Sequence, residues 1–342
     1  MTDIVMITDL QYGSTGKGAI AGKLSMTGEF DTVISANMPN AGHTAYDLSG
    51  NKFIHKVLPS GIFSSSIKKV MIGPGGVFNP EILENEVNNA INLGHLGNAE
   101  VLVHAMSVPL TPEMKTEEEN SAVTGIASTA QGSMVAQVEK MRRNTALDVV
   151  SRDAYWPDPT LPIRVISNSE WIRTVTSESK NILAEAAQGY SLGINQDFYP
   201  YCTSRDCTPA RFLSDMALPH KNLAKVIGTM RTFPIRVGNT PKGNSGDCYA
   251  DQTEVTWDEL GFVPEITTVT GRVRRVFTFS EEQLSEAALM TGCDEIFLNF
   301  LNYLPKHEQA PFISKVERIV KQHGCRVAYI GVGPTPSDIT KV

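Results

Sequence analysis

Several short stretches of this chain are apolar along almost their whole length rather than at alternate positions: "IVMITDL" (4–10), "TVISA" (32–36), "KVMIG" (69–73), "EVLVHA" (100–105), "EIFLNFL" (295–301) and "RVAYIGVG" (326–333). A strand that is apolar on both faces must be covered on both, which is the condition of a parallel sheet between layers of helix. Helical patterns duly fall between the runs, in "KGAIAGKLSM" (17–26), in "NPEILENEVNNAINLG" (79–94) and in "APFISKVERIVKQHG" (310–324). In the second of these Pro80 suits a first turn and Gly94 a C-cap. The fold expected is α/β: a mostly parallel central β-sheet flanked by helices, carrying loop-rich and helical insertions. One domain is expected over 1–342. Its middle, 106–265, is richer in Pro, Ser and Thr and reads as long loops with scattered helices, two of them over 209–231, broken at Pro219.

With 41% hydrophobic residues the chain can bury a large core, and its net charge of −7 argues against a sequence-independent grip on nucleic acid. No run approaches the roughly 18 to 20 apolar residues of a membrane span, and "MTDIVMITDL" carries acids where a signal peptide needs bases. A cytoplasmic protein without a nucleic-acid or membrane partner is expected. The five cysteines are scattered without paired spacing, so they read as reduced structural thiols rather than a disulfide or a structural metal site.

The first run leads into "QYGSTGKGA" (11–19), a strand, a glycine-rich turn and a helix. Backbone amides freed at Gly13, Gly16 and Gly18 can face phosphate oxygens, Lys17 can neutralise them, and the helix adds its positive end. The logic is that of a P-loop, although the Walker spacing is absent and Gly18 stands where a hydroxyl is wanted. In "NMPNAGHTAYDL" (37–48), Asn40, Gly42, His43 and Thr44 crowd hydrogen-bonding groups around a titratable imidazole. "GIASTAQGSMVAQ" (125–137) offers the hydroxyls of Ser128 and Thr129 to an anion, with Arg142 and Arg143 following. "EAAQGYSLGINQDFYPYCTSRDCTP" (185–209) brings Gln188, Tyr201, Thr203 and Ser204, an inventory suited to a base edge and a phosphate. "TTVTGRVRRV" (267–276) sets Arg272, Arg274 and Arg275 behind a Thr/Gly turn, where guanidinium forks can hold a dicarboxylate. Each of these segments also has a structural reading as a turn, loop or solvated edge.

Taken in order, "QYGSTGKG", "NAGHT", "LPSGIF", "GPGGVFNP", "STAQG", "AAQGYSLGINQDFYPYCTS", "RVGNT", "TTVTGRVRR" and "GVGP" resemble adenylosuccinate synthetase across nearly the whole chain. The resemblance implies a P-loop-related ligase that phosphorylates O6 of a purine nucleotide with a nucleoside triphosphate and Mg²⁺, and then lets the amine of L-aspartate displace the phosphate. It implies that Gly13, Thr15, Gly16, Lys17 and Gly18 hold the triphosphate together with Gly42, His43, Thr44 and Asn299. Lys17 and His43 then act on the transferring phosphoryl group, and the Gly42 carbonyl is a magnesium ligand. Asn40, Ser128, Thr129, Gln188 and Thr203 bind the purine nucleotide, and Arg143 does so across a homodimer. Thr267, Thr268, Val269, Thr270, Gly271 and Arg272 close on aspartate with Arg274, while Gly331, Gly333 and Pro334 lie against the donor base.

The sequence departs from the family at two places. Where the family motif "WGDEGKGK" has an Asp that serves as general base and metal ligand, this chain has Ser14. Serine lacks the basicity and charge of a carboxylate, but it leaves room beside purine C2 and can accept a hydrogen bond from a 2-amino group. This change resembles the phage-encoded branch of the family, which joins dGMP to aspartate. N1 deprotonation then falls to water or to the substrate's own phosphates. Where the family reads the guanine of GTP with an acid, "LNFLN" (298–302) has asparagines, so ATP or dATP is the expected donor. The alternatives are an ordinary synthetase acting on IMP with GTP and a catalytically inactive nucleotide-binding homologue.

Overall fold

The computed structural model describes residues 2–144, 160–267 and 270–342. The opening run forms β1 (Asp3–Asp9), and the glycine turn delivers the chain into α1 (Lys17–Ser25). After β2 (Thr32–Ser35) comes a hairpin of β3 (His43–Tyr46) and β4 (Lys52–His55), followed by β5 (Lys69–Ile72) and α2 (Pro80–Asn92). Among the described residues the main sheet has ten strands. From one edge they are Ile339–Lys341, Arg326–Gly331, Glu295–Asn299, Leu223–Arg231, β1, Asn181–Glu185, β2, β5, Glu100–His104 and Ile163–Ile166. Every pairing is parallel except that of the Ile339–Lys341 edge. The expected α/β fold with a mostly parallel sheet is what the chain adopts.

Both faces of the sheet are covered, as the continuous apolar runs require. On one face Ile7, Val33, Val70, Val101 and Leu183 pack under α1 and α2, through Ile20, Leu24, Leu83 and Val87. On the other, Ile4, Met6, Ile34, Met71 and Ile182 meet Trp171, Phe212 and Met216. Each fully buried aliphatic side chain contributes about 1.5–3 kcal/mol. The centre of the sheet, where β1 ends, is therefore a stiff platform.

Two readings of the sequence are corrected. The expected helix pair over 209–231 is one helix, Pro209–Asp215, followed by the strand Leu223–Arg231. "LAKVIGTMR" carries helix formers, but Val226, Ile227 and Met230 are buried between β1 and Glu295–Asn299, and that packing overrides local propensity. The middle region thereby supplies both strands that flank β1, and Ile163–Ile166 as well. The last long helix runs over Lys306–Lys321, with Pro311 inside it rather than near its start. All five cysteines are free thiols, and Cys293 and Cys325 lie with their sulfurs 3.3 Å apart. Among the described residues no helix is long and apolar enough to cross a membrane.

Candidate active site

Gly16 caps α1 in a left-handed conformation, φ 98°, and the first turn has neither a side-chain cap nor an acid. A Cβ at this position would run into the Asn299 amide, so glycine is required both by φ and by the close approach. The amides at the start of α1 are thus left open toward a cavity of about 1060 Å³. That cavity lies at the carboxyl ends of the central parallel strands, where open α/β sheets bind ligands.

Lys17 is only 4% exposed. Its ammonium donates to Asp9 Oδ2 at 2.9 Å and to the Gln188 carbonyl at 2.6 Å. Asp9 also accepts from the amides of Gln11 (2.9 Å) and Gly13 (3.2 Å) and from the Thr15 hydroxyl. One carboxylate at the end of β1 therefore fixes both the curl of the loop and the resting position of its lysine. Gln188 is left-handed, φ 55°, which turns its carbonyl toward Lys17. A Cβ on Gly189 would collide with the Gly13 amide and the Asp9 carboxylate, so the 185–189 segment can pack against the loop only with glycine there. Asn299 donates to the Thr15 carbonyl at 3.2 Å and so ties the loop from its other side.

His43 opens β3 and is 8% exposed. Its Nδ1 lies 2.7 Å from Glu185 Oε1, at the end of the strand beside β1. Burial pushes the Glu185 carboxyl up, but the charge and hydrogen bond of His43 and two bonds from Ser60 outweigh it and hold the group below the usual carboxylate range. An ionised Glu185 can only accept, so Nδ1 carries the proton and Nε2 is the nitrogen left for the cavity. Opposite His43 on β4, His55 is fully buried, and burial pushes it down to about 4.

The far wall is built differently. Arg231, fully buried at the end of its strand, donates to the Ser14 carbonyl at 3.2 Å, forms a bidentate pair with Glu265 and lies 3.9 Å over the Phe300 ring. Burial would raise Glu265, yet the Arg231 charge outweighs it and the carboxyl is held low. Arg274 faces the cavity from beyond Glu265, and burial pushes its guanidinium down to about 10 against the pull of that carboxylate. Arg272 is a strap: its Nε donates to Thr270 Oγ1 at 3.0 Å, and its terminal nitrogens donate to the carbonyls of Gly238 (3.1 Å) and Ser128 (3.2 Å). The helix Ser133–Met141 points its amino end at the cavity, where Glu118 already accepts from the Met134 amide at 2.7 Å.

Of the residues singled out in the sequence, the cavity is lined by Gly13, Ser14, Thr15, Gly16, Lys17, Gly18, Asn40, Gly42, His43 and Thr44. Ser128, Thr129, Gln188, Thr203, Thr267, Arg274, Asn299, Gly333 and Pro334 line it too. Thr270, Gly271, Arg272 and Gly331 do not; Gly331 packs against Asn299 instead. Arg143 is exposed beyond the end of its helix, outside the cavity of its own chain. Thr268 and Val269 lie outside the described residues. Sequence reasoning missed Asp9, Glu185, Arg205 and Arg231. For Asp9, Glu185 and Arg231 the signal was a charged residue ending an apolar run, where a strand end needs a partner for it, whereas Arg205 sits in a polar loop that carries no such mark.

An α1 amino terminus with a buried lysine on one side and buried guanidinium groups on the other suits the joining of anionic reactants, the work of a nucleotide-dependent ligase. The adenylosuccinate synthetase family model matches residues 6–153 and 148–315, and the chain belongs to that family. It is 48% identical over 342 residues to N6-succino-2-amino-2'-deoxyadenylate synthase of Vibrio phage phiVC8, covering 99% of this chain and 98% of that protein. The synthase of the same name from Salmonella phage PMBT28 is 41% identical, with 98% of this chain and 96% of that protein covered. Among solved structures, succinoaminodeoxyadenylate synthetase of cyanophage S-2L, bound to dGMP and to dATP as energy donor, superposes with a TM-score of 0.89 at 35% identity, covering 100% of this chain and 95% of that one.

Proposed function

We propose that this chain joins the amine of L-aspartate to C6 of dGMP while ATP or dATP is converted to its diphosphate and inorganic phosphate. The observation that carries the reading is Ser14, a small hydroxyl lining the cavity beside Lys17 at the position where family members that act on a purine lacking a 2-amino group carry a carboxylate. The full-length similarity to phage synthases named for a 2-amino product supports the same substrate. The product is 2-amino-2'-deoxyadenylosuccinate, made in the host cytoplasm on the route to 2-aminoadenine DNA.

As N1 of dGMP gives up its proton to water or to the substrates' own phosphates, O6 attacks the γ-phosphorus, the bond to the bridging oxygen breaks, and the diphosphate leaves. Lys17 and the amides at the start of α1 neutralise the transferring phosphoryl group, and His43, held through Nδ1 by Glu185, acts in its doubly protonated form, donating from Nε2 to the charge developing near O6. The aspartate amine then attacks C6, the C6–O bond breaks, and inorganic phosphate departs as the amine loses a proton. Arg274 and Thr267, which line the cavity, hold the aspartate carboxylates, and Thr270 and Arg272, which lie outside it, close on them. Arg143, outside its own cavity, serves that of a partner in a homodimer.

The cavity's acids, Glu118 and Glu265, are already committed to backbone amides and to Arg231. Such a site would hold Mg²⁺ chiefly through the triphosphate, with a backbone carbonyl such as that of Gly42 standing where this ion more often has a carboxylate. Bound there, Mg²⁺ supplies positive charge to the phosphate oxygens. The test is phosphate release from dGMP, GMP and IMP, each with L-aspartate and with ATP, dATP or GTP. Turnover of dGMP with an adenine donor is expected; turnover of IMP alone overturns the proposal.

A further inference from the structure

A row of polar side chains runs from a buried cation into the cavity wall that the resemblance assigns to the purine nucleotide. It starts at Arg205, 1% exposed, whose guanidinium lies 5.0 Å from the Phe212 ring centroid and donates from Nη1 to Asp215 Oδ2 at 3.1 Å and to the Ala36 carbonyl at 2.8 Å. Its Nε and Nη2 both donate to Gln188 Oε1, at 3.1 and 3.0 Å. Gln188 Nε2 in turn donates to Asn40 Oδ1 at 3.0 Å, and Asn40 Nδ2 points on to Thr203 Oγ1 at 3.4 Å. Gln188, Asn40 and Thr203 all line the cavity, whereas Arg205 does not.

The direction of this row follows from charge. An amide can be reversed end for end at little cost when its neighbours are hydroxyls or other amides. Arg205 has donors only and cannot be deprotonated at ordinary pH, so it admits Gln188 in one orientation, with the carbonyl inward. With both lone pairs of Oε1 taken by Arg205, Gln188 has no acceptor left for a ligand. One of its two N–H bonds goes to Asn40, and that fixes Asn40 with its own carbonyl toward Gln188 and its amino group forward. The wall therefore shows the substrate N–H donors.

We propose that Arg205 is a positioning residue for substrate choice: through Gln188 and Asn40 it makes this wall a reader of hydrogen-bond acceptors. Resting on the reading that dGMP is the substrate, it follows that an acceptor edge of the nucleotide faces Gln188 and Asn40, and that the guanine edge carrying N1–H and the 2-amino group is turned away from them. Asp215 keeps the charge of Arg205 tolerable in the interior, and its own second oxygen is held by Arg211 at 2.8 Å. The arrangement is electrostatic design at one remove, since the cation never touches the ligand.

The decisive variant is Gln188→Glu, which is nearly isosteric and sets a carboxylate against Arg205. Its thermal midpoint holds or rises, yet it loses the N–H donors, and the dissociation constant for dGMP rises at least about 100-fold, the upper range for a buried polar group left unmatched. Gln188→Met, which removes the donors without adding charge, weakens dGMP by about 10-fold. Arg205→Lys keeps the charge and releases the fork, so that KM for dGMP rises about 10-fold while kcat and KM for the triphosphate stay within a few-fold. A structural defect would instead move all the constants and the melting temperature together. Retention of dGMP affinity within about threefold by Gln188→Glu, or loss of kcat without change in KM for dGMP in Arg205→Lys, overturns the inference. A wild-type enzyme that neither binds nor converts dGMP overturns the proposed function instead, so the two failures are told apart by the parent protein.

Discussion

The two walls of the cavity hold positive charge in opposite ways. On the phosphate-loop side, Lys17 and His43 are each paired with a carboxylate at the end of a central parallel strand, Asp9 and Glu185, and each is almost fully buried. On the side proposed for aspartate, Arg272 is half-buried and rests on backbone carbonyls of distant loops. The first wall is set before any substrate arrives, because moving it means moving the sheet. In the second, beside the buried Arg231–Glu265 pair, Arg272 is held by hydrogen bonds to a hydroxyl and two carbonyls, with no carboxylate partner among the described residues. Preorganised groups of the first kind lower the barrier of the chemical step, whereas groups of the second kind govern how a mobile reactant is captured.

This contrast is testable by where the kinetic damage falls. Lys17→Met should lower kcat by about 1000-fold, since it removes the cation from the transferring phosphoryl group. Rapid-quench measurement of phosphoryl transfer checks this, and damage confined to KM for aspartate would erase the distinction between the walls. Ser14→Asp should reduce kcat/KM for dGMP by about 10- to 100-fold through crowding of the 2-amino group, while IMP suffers less. Unchanged dGMP kinetics in that variant would refute the steric account of Ser14. Arg272→Ala should raise KM for L-aspartate about 10-fold with kcat at saturation nearly intact and little change in melting temperature. A collapse of kcat there would mean that the loop belongs with the first wall.

The last effect is absent at neutral pH and concerns stability. His55, which backs His43 on the hairpin, is pushed by burial from 6.5 down to about 4, and its Nε2 has no hydrogen-bond partner among the described residues. As pH falls below 6.5 the unfolded chain takes up this proton and the folded one does not, so stability present above that pH is lost progressively down to about 4. The loss amounts to about 3 kcal/mol by linkage. Melting temperatures from pH 7 to 4 should therefore fall less steeply for His55→Gln than for the parent, and parallel curves would remove His55 from the account.

Much of the scaffold was legible because parallel strands and their helices leave local marks: β1, β2 and β5 are apolar on both faces, and α2 shows its capping residues. Leu223–Arg231 was not, because its Leu, Ala, Lys and Met residues suit a helix and only its place beside β1 decides otherwise. In the same way Lys17 and His43 could be singled out from their motifs, but their carboxylate partners could not. Asp9 and Glu185 are read as charges ending apolar strands, and only the parallel pairing of β1 with Asn181–Glu185 brings both to one end of the sheet. Arg231 reaches Ser14 across 217 residues, and Arg205 reaches Gln188 from an irregular loop 17 residues on; no spacing rule applies to either.

Arg231 grips residue 14 through its main-chain carbonyl and leaves the side chain alone. The contact does not read the side chain at the loop's tip, and the left-handed backbone of residue 14, φ 58°, is open to short polar side chains such as serine and aspartate. On the reading proposed above, substrate preference is then a replaceable fitting on a fixed chassis.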